Sequence, residues 1–351
     1  MKKTLCALAV GATILTPVMA AAADVKVYGR AHVSLDYLDD GADYNEVGLS
    51  SNSSRLGFKA EQKLENGMTV FGQIEQEINF SSGEKGDKAD FATRDTFVGL
   101  KGNFGQVKVG RFDSPFKVAR GPVNFFGDQV GDLRNVTRVG EQKFDERNDN
   151  TIEYKSPKFG GGFQAAAALS LHPGTKVDKV DGEGKEDTKA YDVALTYKEG
   201  PIDVAVAYEN YEESAANSKF ERDAIRLAGA YKLTDALNVG AFFQMAEIDQ
   251  ASDLDSKVYG IAADYKLTPK TTLRGQFFER DVDAAESNST LVALGVEHRL
   301  DKVVRVYANL ATVLNDEKVA LTPWQQARSN NVAGAPGENA TGLSLGFRYD
   351  F

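Results

Sequence analysis

RLGFKAEQKLENGMTVFGQIEQEINF, residues 55–80, is the stretch that decides the fold. Large apolar side chains alternate in it with charged and amide side chains, which is the period of a β-strand with one apolar and one polar face. Glu65-Asn66-Gly67 interrupts the alternation with residues that favour a tight hairpin. We therefore predict two antiparallel strands, at residues 53–64 and 68–80.

The same alternation recurs along the chain after residue 23, where little of the sequence has the period of a helix. Counting the alternating stretches gives sixteen candidate strands. An even count near sixteen is the size at which a transmembrane barrel encloses an aqueous channel. We therefore predict an all-β fold, a sixteen-stranded antiparallel transmembrane β-barrel. The predicted strands cover residues 25–37, 53–64, 68–80, 92–101, 106–112, 148–156, 163–171, 188–199, 201–211, 221–233, 237–249, 256–266, 271–281, 289–300, 302–314 and 340–351.

The connections between these strands alternate between short turns and long polar loops. Short turns on one side and long loops on the other are typical of bacterial outer-membrane barrels. An exported chain with an even strand count then places both of its ends and the short turns on the periplasmic side. The long connections are predicted at residues 38–52, 81–91, 113–147, 172–187 and 315–339.

The first residues predict export. Two lysines precede an apolar stretch over residues 5–15, and a run of small residues ends at Ala23. This is the order of a secretory signal peptide, and its apolar part is too short to span a bilayer. We predict a signal peptide at 1–23 and a barrel domain at 24–351. The only cysteine, Cys6, lies in the leader, so the exported part is expected to hold together without disulfides.

Charge and hydropathy exclude several classes of protein. The net charge is −10, and it becomes −12 once the two leader lysines are removed, which argues against a nucleic-acid partner. Mean hydropathy is −0.36, and no apolar run after residue 23 approaches the roughly 20 residues of a membrane helix. A polar average does not exclude a barrel, because only alternate strand residues face lipid. A soluble β-sandwich is the rival fold, but sandwiches lack the short–long order of connections.

The last five residues carry aromatic side chains at every second position. Phe347, Tyr349 and Phe351 form one outward face of a final strand, with rings suited to a membrane interface. These three residues also resemble the C-terminal signal that outer-membrane barrels present to their assembly machinery.

Further stretches resemble the general, non-specific porins of Gram-negative bacteria. They are VYGR at 27–30, SRLGFK at 54–59, FVGLKG at 97–102 and VGRF at 109–112. The resemblance covers essentially all of residues 24–351. It implies a homotrimer in the outer membrane, in which each water-filled barrel lets ions and small hydrophilic solutes diffuse passively, with no catalytic step and no cofactor. It also implies that the third long loop, 113–147, folds inward and narrows the channel.

In that family, basic residues on the wall face acidic residues on the inward loop. Arg30 and Arg55 have the polar parity of their strands, and facing lipid at mid-membrane would cost each roughly 2–4 kcal/mol. Arg111 shares the parity of Val107 and Val109, so its place in the lumen rests on the resemblance alone. By that resemblance the constriction consists of the basic residues Arg30, Arg55, Arg111 and Arg138 and the acidic candidates Asp128 and Asp132.

The loop departs from the family pattern in its acidic residues. No carboxylate lies between Asp113 and Asp128, and Phe125 or Phe126 stands about where an acid is expected. We therefore expect a basic-leaning constriction that favours anions, because the narrowest point responds to local rather than net charge. Two alternatives stay open. One is a substrate-specific channel with an aromatic track at these phenylalanines, and the other is a closed structural or adhesive barrel.

The sequence gives little support for a metal site or a catalytic site. His32, His172 and His298 are far apart and lack the spacing of metal ligands, so no metal or catalytic site is predicted. Acid-rich stretches near 39–43 and 178–187 could bind divalent ions that bridge to lipopolysaccharide phosphates. Solvated surface charge is the alternative for both stretches.

Overall fold

The computed structural model describes residues 24–82, 94–140, 142–171, 189–215, 218–249 and 252–351. Seventeen β-segments occupy most of these residues, and each runs antiparallel to its partners. They are β1 (Asp24–Asp39), β2 (Asn45–Ser51), β3 (Arg55–Lys63), β4 (Thr69–Glu77), β5 (Thr96–Gly102), β6 (Gly105–Asp113), β7 (Arg147–Lys155), β8 (Phe163–Leu171), β9 (Lys189–Glu199), β10 (Ile202–Ala215), β11 (Ser218–Lys232), β12 (Leu237–Ile248), β13 (Ser256–Lys266), β14 (Thr271–Val282), β15 (Ser289–Arg299), β16 (Val304–Asn315) and β17 (Ala340–Asp350).

The first and last segments close the sheet into a barrel. One edge of β1 pairs with β17, from Arg30 opposite Asp350 to Asp39 opposite Thr341. The other edge pairs with both β2 and β3, so these two segments are parts of one interrupted strand. The seventeen segments therefore form sixteen barrel strands, and closure leaves no free edge among the described strands. The predicted sixteen-stranded all-β barrel is confirmed.

One predicted loop is largely strand. The sequence predicts a long connection over 38–52, but β1 continues to Asp39 and β2 begins at Asn45, which leaves residues 40–44 as the connection. The prediction was wrong because only Val47 and Leu49 supply the apolar face of β2, too few for a clear period of two. Both side chains are exposed on the outer face. The long connection at 172–187, and residues 83–91 of the connection at 81–91, lie outside the described residues.

The two faces of the sheet differ as expected for a barrel in lipid. Along β1, Val25, Val27 and Leu35 are exposed, whereas His32 and Ser34, of the opposite parity, are buried. Apolar side chains thus face outward and polar ones face inward. Among the described residues, no helix is both long and apolar enough to cross a membrane.

The connection between β6 and β7 lies against the inner face of the wall. It contains α1 (Pro115–Val118), a 3₁₀ turn (Gly121–Val123) and α2 (Arg134–Thr137). The hydroxyl of Ser114 caps α1 by accepting a 3.1 Å hydrogen bond from the Lys117 amide. The connection is held by buried apolar packing, in which Val123, Leu133 and Val136 join Ala228, Phe242, Val258, Ala262, Phe278, Leu291 and Val313 of the wall.

Candidate functional site

Two wall arginines stand side by side in the lumen. Arg30 of β1 pairs in register with Arg55 of β3. Residues of the opposite parity on the same two strands are apolar: Val27 of β1 and Phe58 of β3 are both exposed on the lipid-facing side. The strand parity that predicts a lumen position for both arginines therefore agrees with the structure.

Asp128 of the inward loop reaches both arginines. Its Oδ2 lies 3.7 Å from Nη1 of Arg30 and 3.6 Å from Nη2 of Arg55. Its Oδ1 accepts a 2.8 Å hydrogen bond from Nη2 of Arg134. Burial opposes ionisation of this carboxyl, but Arg134 and Arg55 outweigh that effect and hold the pKa of Asp128 well below its usual range. Asp128 is therefore an ionised bridge between loop and wall.

Asp132, the second acidic candidate, faces its own loop instead of the wall. The side chain is fully buried. It accepts hydrogen bonds from the Asp128 amide at 2.7 Å and from the Arg134 amide at 2.9 Å. These bonds hold the turn at Asp128, whose φ of 63° is left-handed. Asp132 thus orients Asp128, the residue that contacts the wall arginines.

Arg111 lies in the lumen because β6 contains a bulge. The register with β7 shifts between Gly110 and Phe112, and Gly110 has a φ of 142°. A bulge interrupts the strict alternation of faces, so Arg111 does not follow Val109 to the outside. Its Nη1 donates a 2.8 Å hydrogen bond to the Arg147 carbonyl and contacts the Asp149 carboxylate.

Arg138 lies on the inward loop, directly after α2, and so is not a wall residue as the family pattern implies. Its Nη1 donates a 3.1 Å hydrogen bond to Oε1 of Gln326, and its Nη2 pairs with Glu146. The prediction that it belongs with the wall arginines needs this correction, although its guanidinium borders the same space.

The side chains near Asp128 enclose a polar cavity of about 290 Å³. Five of its basic residues, Arg94, Lys117, Arg120, Arg134 and Arg147, were not predicted from the sequence. Four of these lie in or beside the inward loop, for which the sequence predicts only one cation at the constriction, Arg138. The cavity is lined by the cations Arg55, Arg94, Arg111, Lys117, Arg120, Arg134, Arg138 and Arg147, the acids Glu77, Asp113, Asp128, Asp145 and Glu146, and by Ser53, Asn124, Gln326 and Ala327.

Comparison with known proteins identifies the family. A family model described as Gram-negative porin matches residues 7–318. The chain belongs to the Gram-negative porins. It is 27% identical to outer membrane porin protein 32 of Delftia acidovorans, over all of both chains. It is therefore an outer-membrane porin, which forms a channel for passive diffusion of solutes.

Solved structures share the fold of this porin. The anion-selective porin from Comamonas acidovorans superposes with a TM-score of 0.79 at 24% identity, covering 94% of this chain and 100% of that one. The trimer form of OmpT from Vibrio cholerae superposes with a TM-score of 0.69 at 20% identity, covering 94% of this chain and 99% of that one. At these identities the similarity establishes the barrel architecture alone.

Two groups of aromatic residues in this porin lie away from the polar cavity. Phe125 and Phe126 pack between the inward loop and the wall, where Phe126 is 1% exposed, and neither lines the polar cavity. Phe347, Tyr349 and Phe351 project outward and are exposed, as the alternation predicts. The Phe351 carbonyl accepts a 2.8 Å hydrogen bond from the Gly29 amide, which ties the C-terminal residue to β1.

Proposed function

We propose that the polar cavity is the narrowest part of the ion path and that it favours anions. The observation that supports this proposal is the charge of the lining, where eight cationic side chains meet five acidic ones. A constriction responds to the charge that lines it, so a local cationic excess outweighs the net charge of −10 on the whole chain.

The acidic side chains of the cavity are held by cations. Asp113 lies 3.0 Å from Nζ of Lys117 and 2.7 Å from Nη2 of Arg147. Asp145 lies 3.2 Å from Nη1 of Arg120. These pairings fix the guanidinium groups around the path and reduce the attraction that the carboxylates exert on a passing cation. The similar porin from Comamonas acidovorans is described as anion-selective, which agrees with this proposal.

In this proposal, solutes cross by diffusion and the wall does no chemistry. The arginines attract small hydrophilic anions at the narrow point, and the concentration gradient drives the flux. The porin then acts without a cofactor and is not an enzyme. A substrate-specific channel is less well supported, because Phe125 and Phe126 are packed against the wall and form no aromatic track along the cavity.

Assembly and processing complete the proposal. Residues 1–23 are removed as a signal peptide, and Phe347, Tyr349 and Phe351 direct the barrel to the assembly machinery. The mature porin is a homotrimer surrounded by outer-membrane lipid and lipopolysaccharide, in keeping with the trimer form named for OmpT of Vibrio cholerae. An oligomer band that dissociates on heating in a gel tests the trimer, and a monomer band in mild detergent contradicts it.

The charge of the cavity is tested by removing one cation from its wall. We expect Arg111→Gln to shift the reversal potential in a potassium chloride gradient toward cations, because Arg111 lines the path. Lys26→Gln is the matched control, since Lys26 is highly exposed near the start of β1 and lies 3.5 Å from the equally exposed Asp24. An unchanged reversal potential in the folded Arg111→Gln variant contradicts the proposal.

A further inference from the structure

One buried arginine of the barrel wall has no carboxylate beside it. Arg280 lies near the end of β14 on the inner face of the sheet and is 6% exposed. Arg94, Arg226 and Arg328 are also buried, and each of them pairs with a carboxylate. Among the described residues, no acid acts on Arg280. It is therefore a buried cation without a counter-ion from that part of the chain.

The charge of a buried guanidinium group has to be compensated by its surroundings. An arginine stays protonated in proteins, whereas a buried lysine or carboxyl group can become neutral. A buried group that remains charged needs hydrogen bonds and an opposite charge to offset the loss of water. Arg280 therefore needs an anion that the described residues do not supply.

The hydrogen bonds of Arg280 go to neutral acceptors. Its Nη1 donates to the Ser287 carbonyl at 3.2 Å, and its Nη2 donates to Oε1 of Gln142 at 3.2 Å. The same Gln142 oxygen accepts a 2.8 Å bond from Oγ of Ser256. Nε of Arg280 is buried and has no acceptor among the described residues. These bonds orient the guanidinium group and leave its charge uncompensated.

A second buried donor lies directly opposite Arg280. Ser289, the first residue of β15, pairs in register with Arg280, and its side chain is buried on the same inner face. The Cβ atoms of directly opposed residues are about 4.5–5.5 Å apart, so their side chains are neighbours. Oγ of Ser289 also has no partner among the described residues. A guanidinium N–H and a hydroxyl, both able to donate to an anion, are therefore free at adjacent positions.

Apolar side chains surround these two donors. Val258 of β13 pairs in register with Arg280, and the next inward-facing pair along β14 and β15 is Phe278 with Leu291. These three side chains are at most 1% exposed. Hydrogen bonds to an ion are stronger in such surroundings than in water. Neither Arg280 nor Ser289 lines the polar cavity, so the two donors are separate from it.

We propose that Arg280 and Ser289 bind one chloride ion. Nε of Arg280 and the Ser289 hydroxyl donate to the ion, and its single negative charge compensates the single unpaired cation. The site goes beyond the proposed function, because it lies outside the polar cavity and holds its ion in place. Gln142 belongs to the inward loop and accepts from Arg280, so the bound ion also helps to fix the end of that loop on the wall.

Bromide is the probe that locates the ion, because it replaces chloride and scatters anomalously at its absorption edge. Crystals of the detergent-solubilised porin in sodium bromide should show an anomalous peak within hydrogen-bonding distance of Nε of Arg280 and Oγ of Ser289. A water at this position, without an anomalous signal, overturns the proposal.

Urea unfolding tests the site in solution. At equal ionic strength, potassium chloride in place of potassium gluconate should raise the urea midpoint of the parent porin, because a ligand that binds only the folded state stabilises it. Arg280→Met should abolish this rise. Lys318→Met is the matched control and should keep it, since it also removes one cation but from an exposed pair with Glu286.

The outcomes decide between a built site and general salt effects. An equal rise in the parent and in folded Arg280→Met overturns the proposal. A bromide peak in the crystal with no chloride-dependent rise means binding at crystal concentration only, and also overturns it. Ser289→Ala is the second variant if Arg280→Met does not fold, and it should reduce the rise.

Discussion

Nη2 of Arg55 lies 3.6 Å from Oδ2 of Asp128, which joins the barrel wall to the inward loop across the lumen. The arginine is fixed by the wall, because β3 pairs on both sides and Glu75 lies 3.6 Å from Nη1 of Arg55. The aspartate is fixed by the loop through Asp132 and Arg134. The position of the loop and the charge of the path therefore depend on the same contact.

Removal of the Asp128 charge should increase anion preference. We expect Asp128→Asn to raise the permeability of chloride over potassium several-fold, since one unit charge a few ångströms from an ion changes its energy by on the order of 1 kcal/mol even in water. Reversal potentials in a salt gradient measure the ratio. Asp301→Asn, in an exposed short turn, is the control and should leave the ratio unchanged; a lower chloride preference in Asp128→Asn would count against the account.

Anion preference should fall at alkaline pH because one cation of the cavity is lost. Burial lowers the pKa of Lys117 to about 8; Asp113 opposes this shift, whereas Arg147 and Arg120 favour it. The ammonium form is charged below that value and neutral above it, so chloride preference should decrease as the pH rises from about 7 to about 9. Lys117→Gln should show no such decrease over the same range, and an equal decrease in this variant contradicts the assignment to Lys117.

The buried Arg328–Asp36 pair should anchor the connection between β16 and β17 to the barrel wall. We expect Arg328→Met to lower the free energy of unfolding by about 3–5 kcal/mol, because it leaves an unpaired buried carboxylate. The double variant Arg328→Met with Asp36→Leu should recover most of this loss. Urea unfolding of the detergent-solubilised porin measures both changes.

The matched control for that prediction is Lys318→Met in the same connection. Lys318 pairs with Glu286 at 3.1 Å, but both side chains are more than half exposed. An exposed pair contributes only about 0–1 kcal/mol, so the control should unfold nearly as the parent does. Equal losses from Arg328→Met and Lys318→Met would show that Arg328 is not an anchor.

Strand parity predicts which wall residues of this porin face the lumen, but it fails where a strand is irregular. The period of two is a physical consequence of lipid on one face and water on the other, so it places Arg30 and Arg55 correctly. Arg111 does not follow this period, because the bulge at Gly110 turns its side chain from the outer to the inner face of the sheet. No pattern in the sequence marks that bulge apart from the glycine itself.

The positions of the loops depend on packing between distant parts of the chain. The alternation of side chains along a strand carries no information about that packing. The resemblance predicts that residues 113–147 turn inward, but nothing comparable marks residues 315–339. Trp324 is the one available sign, as the single tryptophan of the sequence in an otherwise polar connection. Its burial against Leu38 and Val130 becomes evident only when the strands and both loops are assembled.

The reversal potential of the purified porin in a planar bilayer under a potassium chloride gradient tests the central claim most directly. The chain carries a net charge of −10, whereas the polar cavity is lined by more cations than acids. If local charge at the constriction sets selectivity, the channel should prefer chloride. A clear preference for potassium would contradict the account.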